Sequence, residues 1–313
     1  GSVSLPKQNI QAAPVPSVPS APVAYIPPIS PVQKHSAPNM EKAVTILREK
    51  GLATAAKKES RIAADGIVKL MSRDDAYAMI EVNSETDFVA KNASFQEFVK
   101  NLLKTIIANK PADVDALMAS DYIDGSATVD AKLKEMIFVI GEKLSIRRFA
   151  IAEGITSTYI HGAGTIGVVV SFEADEAVAA KEEFAAFAKN IALQVAAMSP
   201  AYLNKESVPE ADLAAEKEIL MNQIKNDPKN ANKPANILEK MIEGKMKKFF
   251  EENCLLQQAF VKDGAVSVEQ YIAAAAKALG GKIAFKDAVR FEKGEGLEKR
   301  NDDFASEVAA MVK

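Results

Sequence analysis

Apolar positions along this chain fall into two rhythms, and the most informative segment lies where one gives way to the other. Ala78-Met79-Ile80-Glu81-Val82 is a nearly continuous apolar run that reads as a strand. Phe95, Phe98, Leu102 and Ile106 recur at helical spacing and read as one face of a helix. Between them stand ten residues, Asn83-Ser84-Glu85-Thr86-Asp87-Phe88-Val89-Ala90-Lys91-Asn92. Loops in such places commonly carry function, because a rigid scaffold holds them. Two readings of Asp87-Phe88 follow. Either Phe88 packs into its own core while Asp87 caps the next helix, or the pair projects as an acidic and aromatic wedge. Pattern alone leans to the first.

The pattern then repeats. Adding 89 to the first copy gives the second without a gap: Phe95 maps to Phe184, Phe98 to Phe187, Lys100 to Lys189, Asn101 to Asn190, Ala108 to Ala197 and Pro111 to Pro200. The strand around Ile80 maps to one around Val169. Each copy reads as strands followed by an amphipathic helix that proline ends. The expected class is α+β, with two similar subdomains, antiparallel sheets and packed helices. The second copy carries Glu176-Ala177 where the first has Asp87-Phe88, so the tip is asymmetric.

Two longer helical patterns occupy 210–252. Leu213, Ile219, Leu220, Met221 and Ile224 mark one; Ile237, Leu238, Met241, Ile242, Met246 and Phe249 mark the other. Asn226-Asp227-Pro228-Lys229-Asn230 and Pro234 break the helix between them. So short a connection predicts a hairpin of antiparallel helices, either protruding or packed; the irregular apolar spacing does not choose. Further on, Ala288-Val289-Arg290-Phe291 reads as a strand. Asn301-Asp302-Asp303 starts a final helix with Phe304, Val308 and Met311 as its stripe.

Residues 1–39 are a different material, holding nine of the 14 prolines. Proline lacks a backbone donor and clashes with helix, so an extended or disordered tail is expected. Gly1-Ser2 looks like a cloning scar, and Pro19-Ser20-Ala21-Pro22 offers one spacing on which a proline-reading domain docks. Met40–Lys50 reads as a short helix, with Asn39 as its cap and Ala43, Val44 and Leu47 as its apolar face. The expected division is 1–39 tail, 40–65 helix and linker, 66–150 first subdomain, 151–208 with 253–290 second subdomain, 209–252 hairpin and 291–313 C-terminal module.

Composition narrows the chemistry. The 313 residues are 48% hydrophobic and 26% charged, which suits a soluble globular protein. A net charge of −3 gives no sign of a nucleic-acid binder. No apolar run nears the roughly 18 residues of a membrane span, and the N-terminus shows no secretory signal and no arginine. The single cysteine, Cys254, excludes a disulfide framework and points to a reducing compartment, so the cytoplasm is expected. Two histidines, His35 and His161, are too few for a metal cage. Gly162-Ala163-Gly164-Thr165-Ile166-Gly167 leads into a strand-like run and fails the context of a phosphate loop; it reads as a turn. No cofactor, metal or covalent catalysis is expected.

The segment Asn83–Asn92 closely resembles the signature of the bacterial elongation factor Ts family. More of the chain is similar to that family, in its order. Ala55-Ala56-Lys57-Lys58 with Arg61-Ile62-Ala63-Ala64-Asp65-Gly66 comes first, then Ile140-Gly141-Glu142-Lys143-Leu144-Ser145-Ile146-Arg147-Arg148 and Tyr159-Ile160-His161-Gly162. Gly244-Lys245-Met246-Lys247-Lys248-Phe249 and Arg290-Phe291-Glu292-Lys293-Gly294-Glu295-Gly296 complete the set. Family members begin with a three-helix domain. Here only its third helix is recognisable, and the Pro-rich segment stands in place of the first two, as an engineered or grafted N-terminus would.

The resemblance implies a nucleotide-exchange factor for the GTPase elongation factor Tu, and it turns the reading of Asp87-Phe88 toward the wedge. Thr86, Asp87, Phe88 and Val89 would disturb the partner's magnesium site. Ile140, Gly141, His161 and Gly162 would add contacts, and the helix after Asp302 would clasp the partner. It also favours a protruding coiled coil for the hairpin. The runner-up is an adaptor that bridges partners with its hairpin and Pro-rich arm; a third reading, an enzyme with its own substrate, finds no local support.

Overall fold

The computed structural model describes residues 37–299, with side chains from 42 onward. The chain divides into a short unit, Gly1–Ala43, and a larger one, Val44–Lys313. Of the first, only the opening of one helix is described. The proline-rich tail before residue 37, His35, and the expected final helix with Phe304, Val308 and Met311 lie outside the described residues.

Helix α1 spans Ala37–Lys58, so it starts before the expected cap at Asn39 and runs past Lys50. Gly51 lies inside it, and its missing side chain lets the helix backbone approach Lys134, whose carbonyl oxygen would lie 3.1 Å from an added Cβ. Val44, Ile46, Leu47 and Leu52 stay exposed. Sequence β1 (Asp65–Arg73), β2 (Ala76–Ser84), α2 (Ala93–Asn109), α3 (Val114–Ala119), α4 (Val129–Ile140) and β3 (Leu144–Glu153) builds the first half. The second half holds β4 (Thr156–His161), β5 (Ile166–Ala174), α5 (Glu176–Ala179), α6 (Glu182–Met198), α7 (Glu210–Asn226), α8 (Ala235–Asn253), β6 (Ala259–Phe260), β7 (Asp263–Ser267), α9 (Val268–Leu279) and β8 (Ile283–Glu292). The class is α+β, as the periodicities predict.

Two three-stranded antiparallel sheets carry the architecture, in orders β1-β2-β3 and β4-β5-β8. The repeat is literal. Helices α2 and α6 have bounds 89 residues apart, and each ends in a left-handed residue, Lys110 and Ser199, both at φ 44°. Each stops before a proline, which disfavours helix in the residue preceding it. The central strands correspond too, but β8 joins the second sheet from far along the chain, and it runs through residue 290, where a boundary was expected.

Alternation along the central strands explains why they are apolar on both faces. Ala78, Ile80 and Val82 of β2 face α2 in one core; Met79 faces the other way. Val168, Val170 and Phe172 of β5 face α6 in a second core, where Phe172 packs edge-on to Phe184 with centroids 5.7 Å apart. Val169 faces Met79, Val68 and Phe291 in a seam between the sheets. The seam depends on Gly167, where an added Cβ would lie 2.5 Å from Val68 Cγ1 and 2.8 Å from Met79 Sδ. Gly167→Ala overpacks this contact and should cost about 1–3 kcal/mol, read as a lower denaturant midpoint at unchanged slope.

Glu81 shares the seam face of β2 with Met79 and is fully buried. Its carboxylate accepts hydrogen bonds from Asn83 Nδ2 at 3.0 Å, Arg147 Nη1 at 3.2 Å, Arg148 Nε at 2.6 Å and the backbone N–H of Gly294 at 2.8 Å. Arg148 also lies over the Phe291 ring, 4.4 Å from its centroid, and donates to the Glu292 carbonyl. Lys293 pairs with Asp65 at 2.8 Å. One buried anion thus ties the first sheet to the turn that follows β8.

Helices α7 and α8 pack on each other as a hairpin, joined through a single-turn 3-10 segment, Pro228–Asn230, and Pro234. Buried Asn230 donates to the Ile224 carbonyl at 2.9 Å and closes the connection. Only Leu220, Ile224 and Met246 of the two helices are buried, while Ile219, Met221 and Ile237 are exposed. That explains the irregular apolar spacing: many of those positions have no core to face. Tyr202 ties the base, donating to Asp212 at 2.9 Å. Cys254, fully buried at the end of α8, behaves as a small apolar group, and burial pushes its thiol pKa up.

Candidate partner-binding site

The loop between β2 and α2 is held at both ends and free in the middle. Val89 begins a single 3-10 turn, Val89–Lys91, and is buried in the first core. Asn92 then caps α2: its side chain accepts from the backbone N–H groups of Ser94 and Phe95 at 2.9 and 3.1 Å. The capping role that Asp87 would fill is therefore taken by Asn92. At the upstream end, Ser84 is buried and its hydroxyl donates to the Thr86 carbonyl at 2.8 Å. Between these anchors Asp87 is exposed and Phe88 is 76% exposed. Phe88 does not enter its own core. Val89, grouped with the tip in sequence, is instead an anchor that packs inward.

A second loop closes on the first. Helix α4 ends at Gly141, whose φ of 80° is the left-handed cap geometry that glycine adopts without strain. The next residue, Glu142, accepts both the backbone N–H of Thr86, at 2.9 Å, and its hydroxyl, at 2.6 Å. In return Glu85 accepts the backbone N–H of Lys143 at 2.6 Å. Arg61 lies 3.3 Å from Glu85. Lys58, the last residue of α1, donates to the Gly141 carbonyl at 2.5 Å. Ile140 and Gly141 thus sit on a loop bonded to the Thr86–Phe88 tip. Ile140 is half-buried; its neighbour Val139 is the more exposed, at 57%.

His161 and Gly162 belong to the turn between β4 and β5, on the second sheet. The Tyr159 hydroxyl lies 3.1 Å from His161 Nδ1 and the rings stack with centroids 6.1 Å apart. Gly162 is left-handed at φ 58°. No described hydrogen bond or ring contact joins this turn to the 85–88 loop; it touches the first sheet through the Gly164 carbonyl, which accepts from the Val68 N–H at 2.8 Å. Gly162–Gly167 is a turn between strands, as its context implies.

In the second copy, residues 176–179 form the short helix α5, and Val178 packs into the second core. No exposed aromatic stands there, so the tip is a property of the first copy alone. Sequence reasoning missed Val139, Glu85 and Glu142. An apolar residue in the last turn before a Gly cap was a usable signal for Val139; the two glutamates lie inside the segments Asn83–Asn92 and Ile140–Arg148, but no spacing shows that they bond across to each other's loop. Among the described residues, no three or more His, Cys, Asp or Glu side chains are grouped to hold a metal ion, and no helix is long and apolar enough to cross a membrane.

Known proteins give the site a context. The family model described as "Elongation factor TS" matches residues 85–295. Elongation factor Ts of Syntrophotalea carbinolica is 43% identical over 278 residues, covering 88% of this chain and 90% of that protein. Those of Clostridium kluyveri and Clostridioides difficile are 44% and 45% identical, covering 87% and 88% of this chain and 89% of each relative. The match begins at the tip loop itself and ends at the turn that Glu81 anchors. The chain belongs to the elongation factor Ts family, and is an elongation factor of protein synthesis rather than a catalyst of covalent chemistry.

Proposed function

We propose that this chain acts in the cytoplasm on elongation factor Tu, promoting release of GDP by inserting the Asp87-Phe88 tip into the GTPase. The observation that carries this reading is the exposure of Phe88 on a loop pinned on both sides. A large apolar ring held in water by a rigid frame gains free energy only when another surface covers it.

A GTPase holds its nucleotide partly through magnesium, which demands near-ideal octahedral geometry. Phe88 presses between elements of the partner's nucleotide domain, and Thr86 and Asp87 disturb the groups that orient the ion. Small shifts of such groups cost on the order of 10–100-fold in affinity. By linkage, a factor that weakens nucleotide binding is itself bound less tightly when nucleotide is present, so incoming GTP expels it. Ile140 and Gly141 add contacts beside the tip, His161 and Gly162 add contacts from the turn on the second sheet, and Val89 serves as the anchor beneath the tip. The division into subdomains 66–150 and 151–208 with 253–290, and a hairpin at 209–252, fits this role as a frame around one working loop.

The test is stopped-flow release of a fluorescent GDP analogue from elongation factor Tu, with excess unlabelled GDP and increasing amounts of this chain. A rate that climbs to a plateau supports exchange. A stable complex with an unaltered release rate makes the chain an adaptor instead.

A further inference from the structure

We propose that Glu142 is a positioning residue for Phe88, the brace that fixes the tip before any partner arrives. The inference rests on the exchange reading above. Only Asp87 and Phe88 separate two anchors: Thr86, held by Glu142, and Val89, buried in the core. Phe88 has no core packing of its own to orient it, so its direction is set by those anchors. Glu142 reaches across 56 residues of sequence and takes two donors from one residue, the Thr86 N–H and its hydroxyl.

A carboxylate suits this task. It accepts both bonds at once, and charge-assisted bonds are the stronger kind. The brace is itself braced. Glu85 holds the Lys143 N–H, Lys143 Nζ donates to the Glu59 and Arg61 carbonyls at 2.5 and 2.9 Å, and Lys58 holds the Gly141 carbonyl. A continuous chain of bonds therefore runs from the end of α1, through the loop at 141–143, to the tip. Its consequence is pre-organisation: a loop already ordered loses less freedom on docking.

Glu142→Ala removes the brace. Glu142→Gln keeps its length and still accepts the N–H, while its amide donates to a turned Thr86 hydroxyl. Release of the fluorescent GDP analogue from elongation factor Tu is measured at saturating amounts of wild type, Glu142→Ala, Glu142→Gln, Phe88→Ala and the Phe88→Ala/Glu142→Ala double variant. Amide exchange at 86–88 is followed in parallel on each free chain. The expected result is release slowed about tenfold by Glu142→Ala, an effect within about threefold of wild type for Glu142→Gln, and faster amide exchange at the tip in Glu142→Ala alone of those two. In the Phe88→Ala background the Glu142→Ala change should slow release no further.

Wild-type release by Glu142→Ala while Phe88→Ala is slow overturns the brace and leaves the exchange reading standing. Equal slowing by Glu142→Ala with and without Phe88 also overturns it, since Glu142 then acts independently of the ring. Unchanged release by Phe88→Ala sinks the wedge and the brace together.

Discussion

Phe88→Ala is expected to slow GDP release from elongation factor Tu by roughly 10- to 100-fold, while the chain melts as before. The size follows from burial: covering a Phe side chain is worth about 1.5–3 kcal/mol, and each 1.4 kcal/mol is about tenfold in rate. The intact fold follows from exposure. Phe88 makes no core contact, and substitutions at such positions usually stay within about 0.5 kcal/mol. Val89→Ala should differ, because Val89 is buried in the first core and anchors the tip: stability falls, and release slows through the loosened loop even where the chain stays folded. Stopped-flow release beside thermal melts separates the two. Slow release with a lowered melt for Phe88→Ala would mean the ring supports the fold after all, against its exposure.

Glu81→Ala is expected to destabilise the protein by about 3 kcal/mol, roughly 5 °C in melting temperature for a chain of this length. Removing one partner of a buried ion pair commonly costs about 3–5 kcal/mol. The lower end applies here, because Arg147 and Arg148 keep 24% and 28% of their side chains exposed and rehydrate in part. The buried N–H of Gly294 loses its acceptor as well. The same group sets an acid limit. Burial raises the Glu81 pKa, but the bonds from Gly294, Asn83 and Arg148 outweigh it, so the net shift is below the ordinary value of 4.5. A depressed carboxylate contributes stability that is full above the unfolded value and is lost as pH falls through the folded one. Wild type should therefore lose stability below about pH 4.5 more steeply than Glu81→Ala. Parallel melting curves with no pH-dependent convergence would rule out Glu81 as the source.

Much of this fold is visible in local pattern. The helical spacing of Phe95, Phe98, Leu102 and Ile106 gives α2, the offset of 89 gives α6, and Pro228 and Pro234 mark the break in the hairpin. These features depend on neighbours within a turn or two, where periodicity and proline geometry dominate. The length of α1 was not visible, because Ala43, Val44 and Leu47 mark only its first turns and the packing of Gly51 on Lys134 exists only in the fold. Nor was the boundary near 290, since β8 is a strand of the second sheet only through its pairing with β5.

The site divides along the same line. The candidate itself was legible: an acid and an aromatic at a strand-to-helix junction, present in one copy of a repeat and absent from the other. Its anatomy was not. Whether Phe88 faces water or core is decided by where Val89 and Asn92 take the chain, and the hold on Thr86 comes from Glu142 on another loop. The amino-acid order by itself determined the α+β class, the duplication and the candidate segment at the strand-to-helix junction. Only tertiary structure decided which residue of that segment projects, which anchors it and which distant carboxylate steadies it, because burial and long-range hydrogen bonds exist only once separate stretches of chain are brought together.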